Sequence, residues 1–383
     1  MMRRHSSGCG AWSLAAAGFG LLVACAGGND VARGVVTDSA GVRIVTGPAD
    51  DIPLPWRLAH QHTVTLPDSG VTPAPWMIAS DATTGHAFII DRAASRIHVA
   101  DTAGAIVTSW GRSGRGPHEM ASPVAIDVAS DGSVVVVDAL RQLLIRWTAE
   151  GEPIDEIALP VPYWGPGFAT LDNATVLIRS VPDPEAPLQL GQELVHARAD
   201  TVQVLASLPQ NMTLAELPCM RRPIPKAFAA SILWTASDSR IYNIVWPHYR
   251  IDVHDGKAWV ASVRRDIPPI QVSDSMAIRE IETGQLRTLL RMCGIDAPSL
   301  LREIGSEPHA SPVTWLAVDG ADQLWVWRSF AGRQQVDVFA AEGVYLGTAQ
   351  DVPMPVAFLS SSRFLAVRDP FEDAVLELWS IER

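Results

Sequence analysis

The chain has 383 residues, 48% of them hydrophobic and 19% charged, with a formal net charge of −12. That composition supports a sizeable core and excludes intrinsic disorder, and the acidic balance argues against nucleic-acid binding, which needs a basic surface. No apolar stretch reaches the roughly 18 residues of a membrane span, so a polytopic membrane protein is excluded as well. Length alone allows one large repeat or barrel domain, or two ordinary ones. At the start of the chain, Arg3, Arg4 and His5 form a positive region ahead of a short apolar segment from Ala11 to Ala24. That order is the pattern of a targeting signal, which is set aside before the fold is considered.

The segment ends in Leu22-Val23-Ala24-Cys25, which resembles the lipobox of bacterial lipoproteins. The resemblance implies cleavage just before Cys25 and lipid on its thiol. Residues 1–24 are then a signal peptide and 25–55 a lipidated tether and N-terminal lead. An ordinary secretory signal cleaved after Ala24 is the competing reading. Ala26 replaces the Asp that would resemble an inner-membrane retention signal. The expected location is therefore the bacterial cell envelope, on the outer membrane facing the periplasm, with the membrane engaged through the lipid. With Cys9 in the signal and Cys25 acylated, Cys219 and Cys293 remain. In an oxidising compartment they either pair, closing a loop of about 74 residues at roughly 4 kcal/mol of chain entropy, or stay as two buried thiols. Two cysteines without His at finger-like spacing do not make a zinc site.

The mature chain reads as strands and turns with an internal repeat. Phe88-Ile89-Ile90-Asp91 and Val135-Val136-Val137-Asp138 are short apolar strands ending in Asp. Each is followed by a second strand, Arg96–Val99 or Leu143–Arg146, and by a turn glycine, Gly104 or Gly151. Looser copies occur at 241–256 and 324–343. Short strands at this spacing, without intervening helices, indicate an all-β propeller. Six blades are placed near 75–110, 123–159, 165–206, 225–263, 312–350 and 354–383, making 56–383 a six-bladed β-propeller. The last blade shows three strands, and a lone strand near 62–66 would close the ring. Residues 270–306 lose the alternation and read as a helical insertion, with Asp296 as a cap, Pro298 in a first turn and Gly305 as a stop. The insertion is a lid, a docking surface or simple edge cover.

The loop Gly111-Arg112-Ser113-Gly114-Arg115-Gly116-Pro117-His118-Glu119-Met120, followed by Ser122-Pro123, resembles the interblade loop of NHL-repeat propellers. His118 stands where that pattern has Gly. Asp38–Val45 resembles the N-terminal lead of bacterial six-bladed propeller lipoproteins. The resemblance implies a fold and a compartment but no single activity, because propellers host lyases, lactonases and scaffolds alike. It also implies that His118 and Glu119 lie near the central channel, where they could act as acid and base or ligate a divalent ion. Glu also occupies this position in the ordinary loop pattern, which favours capping of backbone amides as the role of Glu119.

Other candidate features are weaker. The Gly-rich loop lacks the Lys-Ser/Thr of a phosphate cradle and opens a strand rather than a helix. No Gly-x-Ser-x-Gly elbow occurs. His60 and His62, two apart, could share a strand face as metal ligands or simply face solvent. Asp91 and Asp138 recur at one blade position, which points to turn hydrogen bonding. Trp325 and Trp327 project to one face, as a stacking platform or as core.

Two functions remain. One is a membrane-anchored module that binds a protein or small-molecule ligand, with no nucleic acid. The alternative is a metal-dependent lyase or lactonase-like hydrolase with its site in the central channel, using calcium or zinc. The residues facing the channel decide between them. A convergent carboxylate–His cluster supports the enzyme, and an apolar or mixed lining supports the binder.

Overall fold

The computed structural model describes residues 34–383 apart from 68–72, 164, 183–189, 210–211, 331–332 and 371–373; the expected signal segment 1–24 and Cys25 lie outside the described residues. The chain folds as an all-β six-bladed propeller. Each blade is an antiparallel meander whose first strand lies at the centre and whose last lies at the rim. Blade 1 is built from Ile78–Asp81, His86–Asp91, Arg96–Ala100 and Ile106–Trp110, and blade 2 from Pro123–Val128, Val134–Asp138, Leu143–Trp147 and Pro153–Ala158. Blade 3 holds Phe168–Leu171, Ala174–Pro182, Leu190–Arg198 and Thr201–Pro209, and blade 4 holds Trp234–Ala236, Ile241–Ile244, Arg250–His254 and Trp259–Arg265. Blade 5 comprises Trp315–Val318, Leu324–Phe330, Arg333–Phe339 and Tyr345–Gln350, and blade 6 begins with Met354–Ser360, Arg363–Arg368 and Val375–Glu382.

Second strands such as Val134–Asp138 are buried throughout. β-Branched residues suit such a strand because both of its faces pack on a neighbouring sheet. Apolar clusters accordingly fill the spaces between blades. Ile97 and Val99 of blade 1 meet Ile126 and Val136 of blade 2. Trp325 of blade 5 packs against Phe358 and Phe364 of blade 6, with ring centroids 5.0 and 5.5 Å apart.

The ring is closed by an N-terminal strand, Arg57–Thr63, that pairs antiparallel with Val375–Glu382 as the fourth strand of blade 6. It starts earlier than the expected 62–66 segment, of which Val64 still donates to the Leu376 carbonyl at 2.8 Å. The lead before it is not a loose tether. Val35–Ser39 and Val42–Gly47 form a hairpin, and Val42–Gly47 adds in parallel to Trp259–Arg265 at the rim of blade 4. The chain then crosses blade 5, where Pro53 bridges Thr348, and enters blade 6. The N-terminal segment thus belts the rims of three successive blades.

A buried ionic node holds the belt. Arg265 donates through Nη1 to Asp337 at 2.8 Å, and through Nε and Nη2 to the carbonyls of Pro48, Ala49 and Asp50 at 2.8 to 3.1 Å. Its guanidinium lies 4.5 Å from the Tyr345 ring centroid. Asp337 also accepts from Tyr249 Oη at 2.7 Å and from Arg328 Nη2 at 2.9 Å. Both Arg265 and Asp337 have fully buried side chains. Such a pair persists only because every donor finds an acceptor.

The insertion contains three helices, α1 (Asp274–Thr283), α2 (Arg287–Cys293) and α3 (Ala297–Ile304). The Asp296 side chain caps α3 by accepting from Ser299 N at 2.7 Å, and Gly305 ends it at φ 72°. The helices do not pack alone. A hairpin of Met212–Leu217 and Met220–Pro225 lies outside every blade and joins them in one apolar cluster, with Ala215 and Ile224 against Ala277, Ile281 and Leu300. Blade 4 therefore begins at Trp234 rather than at 225. Cys219, at the hairpin turn, is disulfide-bonded to Cys293 at the end of α2, with Cα atoms 4.9 Å apart. Among the described residues, no helix is long and apolar enough to cross a membrane.

Removing residues 1–63 strips the rim strand from blade 6 and exposes the edge of Val375–Glu382. Removing residues 1–33 leaves every described contact in place. The longer truncation is expected to lower Tm by more than about 10 °C and to aggregate, and the shorter to stay within about 2 °C of the full chain by calorimetry. Equal melting of the two would mean that this strand does not hold the ring.

Candidate binding channel

The first strands of the six blades surround a central cavity of about 190 Å³. Apolar residues outnumber polar ones in the lining, Trp76 (just before the first strand of blade 1), Trp234 and Trp315 among them, but the surface exposed to the cavity is more polar than apolar. Ser80 and Thr235 add hydroxyl groups, and among the described lining residues Asp127 is the one acidic or basic residue.

Asp127 sits on Pro123–Val128 of blade 2, surrounded by protein but open to the cavity. Its Oδ2 accepts from both the backbone N and the Oγ1 of Thr170 in blade 3, each at 2.7 Å. These bonds fix the carboxylate across the gap between two blades. Burial pushes its pKa up to about 6; the Thr170 bonds oppose that rise, and the nearby Asp238 adds to it. Repeat position sets Asp127 apart. Asp127 pairs with Val135, and the corresponding register in blade 1 pairs Ala79 with Phe88. Blade 1 therefore has no acid at the matching position.

The sequence candidates lie elsewhere. His118 and Glu119 do not line the cavity. Glu119 serves its own loop, accepting from Gly116 N at 2.8 Å and pairing with Arg112 Nε at 2.9 Å. Its carboxylate fills the space over Gly114, where a Cβ would come within 1.9 Å of Oε2. His118 takes the left-handed conformation, φ 56°, that a glycine would supply, and its N–H donates to Glu156 Oε1 at 2.7 Å. Arg141 grips the same Glu156 with both Nη atoms, at 3.0 and 2.6 Å. The His substitution leaves the loop shape intact because side-chain bonds hold it.

His60 and His62 sit on the exposed rim strand of blade 6 and do not share a face. A bulge between them pairs His60 with Trp379 and His62 with the adjacent Leu378, which reverses the alternation. Asp138 accepts from the backbone N–H groups of Ala121, Ser122, Leu140 and Arg141 at 2.6 to 3.3 Å, so it organises turns. Asp91 accepts from Ala94 N at 3.1 Å. Trp325 and Trp327 are buried core residues.

One grouping was not anticipated from the sequence. His98 Nδ1 lies 2.7 Å from Ser109 Oγ, and its Nε2 lies 3.6 Å from Asp91 Oδ2. These are the residue types of a hydrolytic triad. However, His98 is fully buried beside Ile89, on the face of blade 1 that packs against blade 6. The grouping locks three strands together and lies apart from the cavity lining. Among the described residues, no group of three or more His, Cys, Asp or Glu is placed to hold a metal ion.

Comparison with known proteins agrees on the fold. A family model described as 6-bladed beta-propeller matches residues 81–172. No curated protein matches the chain. Among solved structures, a member of the duf4221 family from Bacteroides vulgatus superposes with a TM-score of 0.51 at 11% identity, covering 86% of this chain and 99% of its own. A Bacteroides fragilis protein gives a TM-score of 0.48 at 10% identity, covering 89% and 100%. A gluconolactonase of Xanthomonas campestris gives 0.41 at 13% identity, covering 86% and 90%. The chain resembles six-bladed propeller proteins, and at these identities the likeness concerns architecture alone.

The raised pKa of Asp127 carries a stability cost with a definite sign. A carboxyl whose folded pKa lies above its unfolded value contributes fully below the unfolded value near 3.8, and that contribution is lost as pH rises through about 6. A shift of this size corresponds to roughly 3 kcal/mol. Asn accepts the same two Thr170 bonds without the charge. Asp127→Asn is therefore expected to raise stability at pH 7.5 by about 1–3 kcal/mol and to change it little at pH 4, measured by urea unfolding.

Proposed function

We propose that the protein is a non-catalytic binding module of the bacterial cell envelope, anchored by lipid on Cys25, whose ligand is a small molecule held in the central channel. The observation that carries the binding half is the lining: three tryptophans, two hydroxyl groups and one oriented carboxylate, in a cavity reached by all six blades. Binding sites of this type are concave and mostly apolar, with few polar groups that set orientation. A metal-dependent lyase or lactonase-like reaction would need a ligand set for calcium or zinc, and one carboxylate with no His beside it in the lining does not supply one. The anchoring half rests on Leu22-Val23-Ala24-Cys25 directly after an apolar segment.

Three of the cavity-lining side chains are tryptophans, so occupancy should be visible in fluorescence. Titration with benzyl alcohol, a neutral aromatic probe, is expected to give a saturable change that survives treatment with a chelator. Metal-dependent turnover of a lactone, with no saturable response to the probe, would favour the enzyme instead.

For the anchor, Cys25→Ser removes the thiol that accepts lipid. The variant is expected to move from the membrane fraction to the soluble fraction of the producing cell. Retention on membranes after a high-salt wash would rule out lipid as the attachment.

A further inference from the structure

The chemistry of the cavity narrows the ligand, on the premise that the channel binds small molecules as proposed above. Among the described lining residues Asp127 is the sole ionisable group, and it is held in position before any ligand arrives by two bonds from Thr170. The charged neighbour with the largest effect on it is another acid, Asp238. A carboxylate with no Lys or Arg among the described lining residues is a site with half of an ion pair in place.

Several complements can be weighed on size and chemistry. A divalent metal is poorly served, because calcium takes six to eight oxygens and zinc four ligands. An anionic or sugar-acid ligand would be repelled by Asp127. A neutral apolar ligand would use the tryptophans but leave the carboxylate desolvated, which costs free energy. An ammonium group answers both demands. It donates charge-assisted hydrogen bonds to the carboxylate, and its charge is attracted to the faces of Trp rings. Part of the cost of desolvating Asp127 is already met in the empty protein, so a cationic ligand gains the attraction at a reduced penalty, whereas a neutral one completes the desolvation without that gain. At about 190 Å³ the cavity is only modestly larger than the roughly 150 Å³ that accommodates benzene elsewhere, which limits the enclosed part to one ring or a short alkyl chain.

We infer that the channel selects a small primary amine with an aromatic or short aliphatic body, its ammonium paired with Asp127 and its apolar part against Trp76, Trp234 and Trp315. Asp127 acts here as the specificity-determining residue of the binding site.

The test compares benzylamine with its neutral near-isostere benzyl alcohol by calorimetric titration of the purified full chain at pH 7.5. Benzylamine is expected to bind at least about tenfold more tightly, the order of a charge-assisted contact in a shielded site. Asp127→Asn is expected to abolish that preference and to keep benzyl alcohol binding. In the unsubstituted protein, lowering the pH from 7.5 to 5 should weaken benzylamine several-fold as Asp127 takes up a proton, while benzyl alcohol changes little; this arm stands even if the variant fails to fold. Equal affinity for the two probes, or a preference for the amine that survives Asp127→Asn, overturns the inference and leaves channel binding intact. Failure of both probes to bind removes the premise itself.

Discussion

The antiparallel pairing of Arg57–Thr63 with Val375–Glu382 joins the two ends of the described chain, and the channel depends on it. A propeller cavity exists only while the first strands of all blades are held at one radius. If the seam opens, blade 6 loses its rim strand and the aromatic contacts between Trp325, Phe358 and Phe364 lose their backing. The belt that precedes the closing strand extends the constraint to blades 4 and 5. Its anchor, Arg265, bonds backbone carbonyls as well as Asp337, so the ionic node orders chain that has little side-chain packing of its own.

Repetition separates structure from specificity in this molecule. Asp91 and Asp138 occur at one blade position and bind turn amides. Buried histidines likewise sit on third strands, His98 against Ser109 and His254 against Asn243. Asp127 has no acidic counterpart in blade 1, and it carries a free-energy cost rather than a gain. Under the binding role proposed above, that cost is offset by what Asp127 meets in the cavity, a common relation between stability and function.

Sequence made the blades legible because two of them, around Asp91 and Asp138, carry the same strand–turn–strand text, and because Asp296 and Gly305 mark the ends of a helix with standard caps. The parts that escaped it depend on contacts distant in sequence. Nothing in Met212–Pro225 announces that its hairpin packs on helices some 60 residues further on rather than entering a blade. The lead reads as tether because its strand is completed by the rim of blade 4, more than 200 residues away. Asp127 drew no notice, since one acid in an apolar strand is unremarkable until six strands converge around it. The loop motif locates Glu119 and His118 in the chain but does not say whether their side chains turn inward or bind the loop itself, and Glu119 takes the capping role that the loop pattern favours.

The disulfide between Cys219 and Cys293 has a mechanical consequence. The chain between them contains all of blade 4, which is therefore a closed covalent loop. The same blade receives the N-terminal strand Val42–Gly47 in parallel register. Tension applied at the N-terminus would load that parallel pair in shear, where several hydrogen bonds share the force instead of yielding one at a time. Should the pair give way, blade 4 could still not be drawn out beyond the length its cystine allows. The point at which a pull on the chain enters the ring is thus the point at which the ring is least extensible.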